Sequence, residues 1–144
     1  MMKHLPILIV LLPLVAAQLC MLLSLIKRNL GRWVIVAATG ASVVLSVIQL
    51  IQVINNGPIH YYFGNYEAPI GIEFAIDTVN GLVLVMVATI GFLSFLFSNE
   101  FDYAKDKTVT GGYNAVMALL ITGLLGMTST GDVFNLYVFL EITS

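Results

Sequence analysis

Charge is the scarcest commodity in this sequence. Six Lys or Arg and eight Asp or Glu are spread over 144 residues, so 10% of the chain is charged, against 59% hydrophobic. A soluble domain carries about a quarter charged residues, so the deficit argues against one. The net charge of −2 is too small to draw the chain to nucleic acid or to an anionic surface, and no nucleic-acid partner is expected. One cysteine, Cys20, excludes an internal disulfide framework and a cysteine-based metal cluster. Two isolated histidines, His4 and His60, supply no metal-ligand spacing. There is no phosphate-binding glycine loop, no plausible Ser–His–Asp set, no internal repeat and no low-complexity tract. The chain is therefore expected to have no cofactor, no metal and no catalytic centre of its own.

What is present is apolar sequence in long runs, with a mean hydropathy of +0.98. Five hydrophobic segments follow one another: 5–26, 33–54, 78–97, 113–129 and a fifth over 132–144. At 1.5 Å per residue the first three are long enough for a hydrocarbon core of about 30 Å. The fourth is slightly short and is expected to extend into Gly111 and Gly112. The fifth offers about 18 Å of helix and does not span alone. The expected fold class is all-α: a polytopic transmembrane helix bundle forming one membrane domain, with four full helices and the start of a fifth. The first segment is too long for a signal-peptide core and is followed by the basic "KRNLGR" rather than by a small-residue cleavage site, so it reads as a retained helix.

The loops assign an orientation. Lys27, Arg28 and Arg32 follow the first segment, and Lys105 and Lys107 lie in the loop at 98–112, whereas the segment 55–77 has no Lys or Arg. The positive-inside rule then puts the N-terminus outside and the basic loops in the cytoplasm of a multi-pass protein of the inner cell membrane. Segment 55–77 combines turn formers (Asn55, Asn56, Gly57, Pro58, Gly64, Pro69, Gly71) with aromatics (Tyr61, Tyr62, Phe63, Tyr66). A short hairpin or loop on the outer membrane surface satisfies both.

Two helices carry small or polar residues at four-residue spacing, which places each row on one face. The rows are Ala38, Ser42, Ser46 with Gln49, and Asn114, Ala118, Thr122, Gly126 with Thr130. They read as packing seams, with a hydrated path beside the second row as the alternative. Pro13 lies mid-way along the first helix and should kink it.

The carboxylates divide by depth. Glu67, Glu73, Glu100, Asp102 and Asp106 fall in loops, where solvation accounts for them. Asp77 and Asp132 each precede a helix, where a carboxylate caps orphan N–H groups. Glu141 stands apart: nine residues beyond Asp132, it lies about 13 Å deeper along the axis, close to the bilayer midplane. A charge there costs at least about 2.5–3.5 kcal/mol, so such residues usually face protein and have a role. Tyr137 lies one turn earlier on the same face, and Phe134 two turns earlier. Glu141 is the candidate proton-translocating residue, with Asp132, Asn135, Tyr137 and Asp77 as supporting or capping residues. The alternative is a glutamate that only pins helix packing. No Lys, Arg or His lies at membrane depth, so a basic partner for Glu141 must come from outside this sequence.

The stretch "YNAVMALLITGLLGMTSTGDVFNLYVFLEITS" closely resembles the fourth and fifth helices of antiporter-like membrane subunits. That family includes the D-type component of Mrp cation/proton antiporters and the related membrane components of complex I and of membrane-bound hydrogenases. The most specific part is Asp132, Phe134, Asn135, Leu136, Val138, Phe139 and Glu141. "YYFGNYEAPIGIEFAIDTVNGLVLV" is similar to the loop and third helix of the Mrp D type, and "LIVLLPLVAA" suits its first helix. The resemblance implies that Glu141 matches the family's fifth-helix glutamate, which handles protons with a lysine on the seventh helix. Family members are roughly three times longer and built from inverted repeats. The implied function is that of the N-terminal part of a split or truncated antiporter-like subunit in a larger membrane complex, an Mrp antiporter or an Mrp-linked hydrogenase or respiratory complex. Protons, or sodium in addition, would be the ions moved. The alternatives are a structural or assembly subunit without its own ion path, and an artificially shortened chain. An end at Ser144 partway through the hydrocarbon leads to the expectation that another membrane subunit contacts Val138–Ser144.

Overall fold

The computed structural model describes residues 4–26, 28–62, 72–97 and 107–144. Lys27, residues 63–71 of the expected outer loop (with Phe63, Gly64, Tyr66, Glu67, Pro69 and Gly71) and residues 98–106 (with Glu100, Asp102, Lys105 and Asp106) lie outside the described residues. The elements are α1 (Leu5–Ile26), α2 (Arg28–Asn56), β1 (Ile59–Tyr62), β2 (Glu73–Ile76), α3 (Thr78–Phe97), α4 (Lys107–Ser129) and α5 (Val133–Thr143). Among the described residues four helices are long and apolar enough to cross a membrane, and α5 is a shorter apolar helix. The fold is an all-α membrane bundle carrying one small hairpin.

α2 and α4 begin earlier than their hydrophobic segments, at Arg28 rather than Trp33 and at Lys107 rather than Tyr113. Hydropathy marks where a helix meets lipid, whereas the backbone ladder continues for as long as each N–H finds a carbonyl. Two glycines let these helix starts lie close to α1. A Cβ on Gly31 would come within 2.7 Å of the Cys20 carbonyl oxygen, and one on Gly111 would collide with the Ser24 side chain.

α1 packs on α2 and α4, and α3 packs on the same two helices from the other side, so the four close a ring; α5 packs on α4. The seams are buried: Ser42, Ser46 and Gln49 on α2, and Asn114, Ala118 and Thr122 on α4, all face inward. Most of their hydroxyls donate to a carbonyl of their own helix, as Thr122 does to Ala118 at 2.7 Å. Ser42 differs. Pro13 has no N–H, which leaves the Ile9 carbonyl without its intrahelical donor. The Ser42 hydroxyl reaches across from α2 to that oxygen at 3.1 Å, shared with its own Ala38 carbonyl at 3.1 Å. The proline and the serine therefore form one device, in which one helix supplies the donor that the other lacks.

The hairpin closes one end of the ring. α2 stops at Gly57, whose φ of +88° favours glycine and whose N–H returns to the Val53 carbonyl at 2.9 Å. Pro58 follows, and β1 then pairs antiparallel with β2 in the register Ile59↔Ile76, His60↔Ala75, Tyr61↔Phe74 and Tyr62↔Glu73. An isolated two-stranded hairpin is marginal in water; here Phe74 and Ile76 are buried against the helices. The Tyr61 hydroxyl lies 2.9 Å from His4 Nδ1 at the start of α1, and His60 Nδ1 lies 2.6 Å from Glu73 Oε1 across the strands.

Candidate functional site

The turn between α4 and α5 is held by its own side chains. Asp132 has an extended backbone (φ −117°, ψ 133°) and caps α5; its carboxylate accepts the Phe134 N–H at 3.1 Å. The Thr130 hydroxyl is the hub. It accepts the Asn135 side-chain N–H at 3.1 Å and the Asp132 N–H at 3.3 Å, and donates to the Asp132 carbonyl at 3.2 Å. Asn135 is accordingly 5% exposed: its amide is turned into the turn rather than toward Glu141.

Beyond the turn, α5 has two unlike faces. Asn135 and Phe139 are buried, with Ile142 packed beside them. Phe134 and Tyr137, each 70% exposed, and Val138, at 42%, form the opposite stripe with Glu141. These four positions are spaced i, i+3, i+4, i+7, which is one face of a helix. Glu141 therefore points away from the ring of helices, and its carboxylate meets no partner among the described residues. From Thr108 onward the sequence contains no Lys, Arg or His, so α5 and all of α4 beyond Lys107 offer it no cation.

The candidate residues named from the sequence thus separate. Tyr137 and Glu141 share the outward stripe. Asp132 and Asn135 belong to the turn, roughly two helical turns back along the axis. Asp77 lies in another element: its carboxylate accepts the Asn80 N–H at 2.8 Å at the start of α3. It is nonetheless at the same end of the bundle, because Phe74 forms an antiparallel bridge with Thr130.

Other contributors are faint in the sequence. Thr130 reads there only as part of a packing row, although a threonine two residues before a capping aspartate is a local hydrogen-bonding signal. Gly123 and Gly126 form a notch in α4: a Cβ on Gly126 would collide with the Phe139 ring, and one on Gly123 would lie 2.9 Å from the Phe139 carbonyl oxygen and against the Thr143 methyl. Phe74 closes that notch, with its ring centroid 6.4 Å from that of Phe139. Among the described residues no group of three His, Cys, Asp or Glu could hold a metal ion.

No family model matches the chain. Individual proteins do. The N subunit of the NADH-quinone oxidoreductase of Desulforudis audaxviator is 37% identical over 145 residues, an alignment that covers 100% of this chain and 29% of that protein. The D subunit of the Na(+)/H(+) antiporter of Bacillus subtilis is 34% identical over 143 residues, covering 98% of this chain and 28% of the relative. Among solved structures, a chain of the membrane-bound sulfane sulfur reductase, an archaeal respiratory membrane complex, superposes with a TM-score of 0.87 at 32% identity. That match covers 97% of this chain and 28% of the other. The chain thus spans less than a third of the length of the relatives it matches.

Proposed function

Because this multi-pass membrane chain is homologous along its whole length to an N-terminal portion of antiporter-type and complex I-type membrane subunits, we propose that it takes part in proton or cation translocation within a larger membrane complex. Glu141 is the proton-handling group in this reading. The observation that carries it is the placement of that carboxylate: about 13 Å along α5 from its cap, on an outward stripe with Tyr137 and Phe134, on a helix whose inward face is occupied by packing. A charged group at such depth is costly unless protein or water meets it. The outward direction supports a basic partner on a neighbouring helix that is not part of this sequence. With such a base in reach, the Glu141 carboxyl gives up a proton to it and takes another from the opposite side of the path.

The same stripe, with Val138 and Leu140 partly exposed beside Glu141, supports contact of Val138–Ser144 with another membrane subunit. The distribution of Lys and Arg supports an N-terminus on the outer side of the cell membrane. The hairpin end, with Asp132 and Asp77, would then face outward.

The test is Glu141→Gln in the assembled complex, reconstituted into proteoliposomes, with ion flux as the readout and subunit content checked by gel. Glutamine keeps the shape and removes the titratable proton, so flux should fall to background while assembly is retained. Normal flux in a normally assembled complex would remove Glu141 from the path and leave a structural role for the chain.

A further inference from the structure

Glu141 can serve a relay only if α5 is rotated to aim it, and hydrophobicity does not choose that rotation. In α5, Val133–Thr143, only Asn135, Tyr137, Glu141 and Thr143 carry polar side-chain atoms, and apolar residues lie on every side. In lipid such a helix has no apolar stripe to bury, so packing geometry has to orient it. The structure shows where that geometry resides. Phe139 is the large buried side chain on the inward face. Its ring fills the space over Gly126, its carbonyl lies over Gly123, and the Phe74 ring covers it from β2 at 6.4 Å between centroids. β2 is in turn registered to the same end of α5, since the Gly131 N–H donates to the Glu73 carbonyl at 2.9 Å.

We infer that Gly126 and Phe74 are positioning residues for Glu141: together they seat Phe139, and the seat sets the angle at which the carboxylate leaves the bundle. Glu141 follows Phe139 by two residues, or about 200° around the axis, so the seat holds one side of the helix and thereby aims the other. With side chains reaching about 5–6 Å from the axis, a 20° rotation moves the carboxylate by about 2 Å. A proton donor and acceptor must lie within about 2.6–3.2 Å, so a displacement of that size breaks the transfer without unfolding anything. The inference rests on the reading of Glu141 as a proton carrier.

The experiment compares four variants of the complete complex in proteoliposomes: Gly126→Ala, Phe74→Leu, Gly126→Ala with Phe139→Leu, and Glu141→Gln. Flux is measured across a pH series, and subunit content is measured in parallel. Gly126→Ala should assemble, lower the flux about 10–100-fold, as expected of misplacements near 1 Å, and shift the pH of half-maximal flux. Phe139→Leu removes ring volume from the site of the added methyl, so the double variant should recover most of the loss. Phe74→Leu should shift the pH profile in the same way, and it carries the test if Gly126→Ala does not assemble. An unchanged rate and pH profile in Gly126→Ala or in Phe74→Leu, beside an inactive Glu141→Gln, overturns the positioning role alone. A double variant no better than Gly126→Ala overturns the Phe139 seat. Full flux in Glu141→Gln overturns the parent reading instead.

Discussion

Replacing Ser42 by alanine removes the donor that α2 lends to α1. Ile9 and Ser42 are both buried, at 0% and 1% exposure, so water does not freely replace the lost hydroxyl at the Ile9 carbonyl. Two magnitudes bound the cost. Interhelical hydrogen bonds inside membranes average about 0.6 kcal/mol and reach about 1.7, whereas a buried acceptor left unpaired costs about 1–3 kcal/mol. The Ile9 oxygen belongs nearer the second class, because Pro13 has already deprived it of its own helix's N–H; a loss of about 1–2 kcal/mol is expected. A double-mutant cycle isolates the coupling. Pro13→Ala returns an N–H to the Ile9 carbonyl, so Ser42→Ala in that background should cost only about 0.6 kcal/mol, the size of an ordinary interhelical bond. Equilibrium unfolding of the four proteins in bicelles yields the coupling energy. Equal costs for Ser42→Ala with and without Pro13 would refute the claim that the serine compensates for the proline.

Two further substitutions probe polar groups inside the bundle and at the site. Gln49 is 0% exposed and neither side-chain polar atom has a hydrogen-bond partner among the described residues, so Gln49→Met, similar in length and without the amide, should stabilise the protein by about 1–3 kcal/mol in unfolding measurements; destabilisation would show that the amide has a polar partner after all. Asp132→Ala removes the cap of α5 and should cost about 1 kcal/mol, seen as faster amide hydrogen exchange at Phe134; Asp132→Ser, which keeps an acceptor, should restore protection, and equal exchange in all three would contradict capping.

Some of this molecule is legible from residues alone. The apolar runs announce membrane helices because a bilayer demands length and hydrophobicity, both of which are written linearly. Asp132 and Asp77 announce helix starts because capping is a matter of two or three neighbouring residues. Glu141 stands out because its distance from the Asp132 cap follows from counting along one helix, and the resemblance to antiporter-like subunits gives its carboxylate an expected role. Less legible are the true starts of α2 and α4, since a backbone ladder runs past the point where hydropathy falls. The register of the hairpin is equally hidden, since turn formers announce a reversal but not its pairing.

The apolar spans, the capped helix starts and the distance of Glu141 from its cap could be read from consecutive residues, because each is set within one stretch of chain. Contacts between distant segments appear only once the helices pack. Ser42 meets the carbonyl freed by Pro13 across 33 positions. Phe74 meets Phe139 across two elements, and the notch at Gly123 and Gly126 lets α5 approach α4. The last two of these meetings hold the inward face of α5, and Glu141 lies on its exposed side. Composition could not have indicated that direction: on a helix apolar all round, rotation is set by the shape of what it packs against.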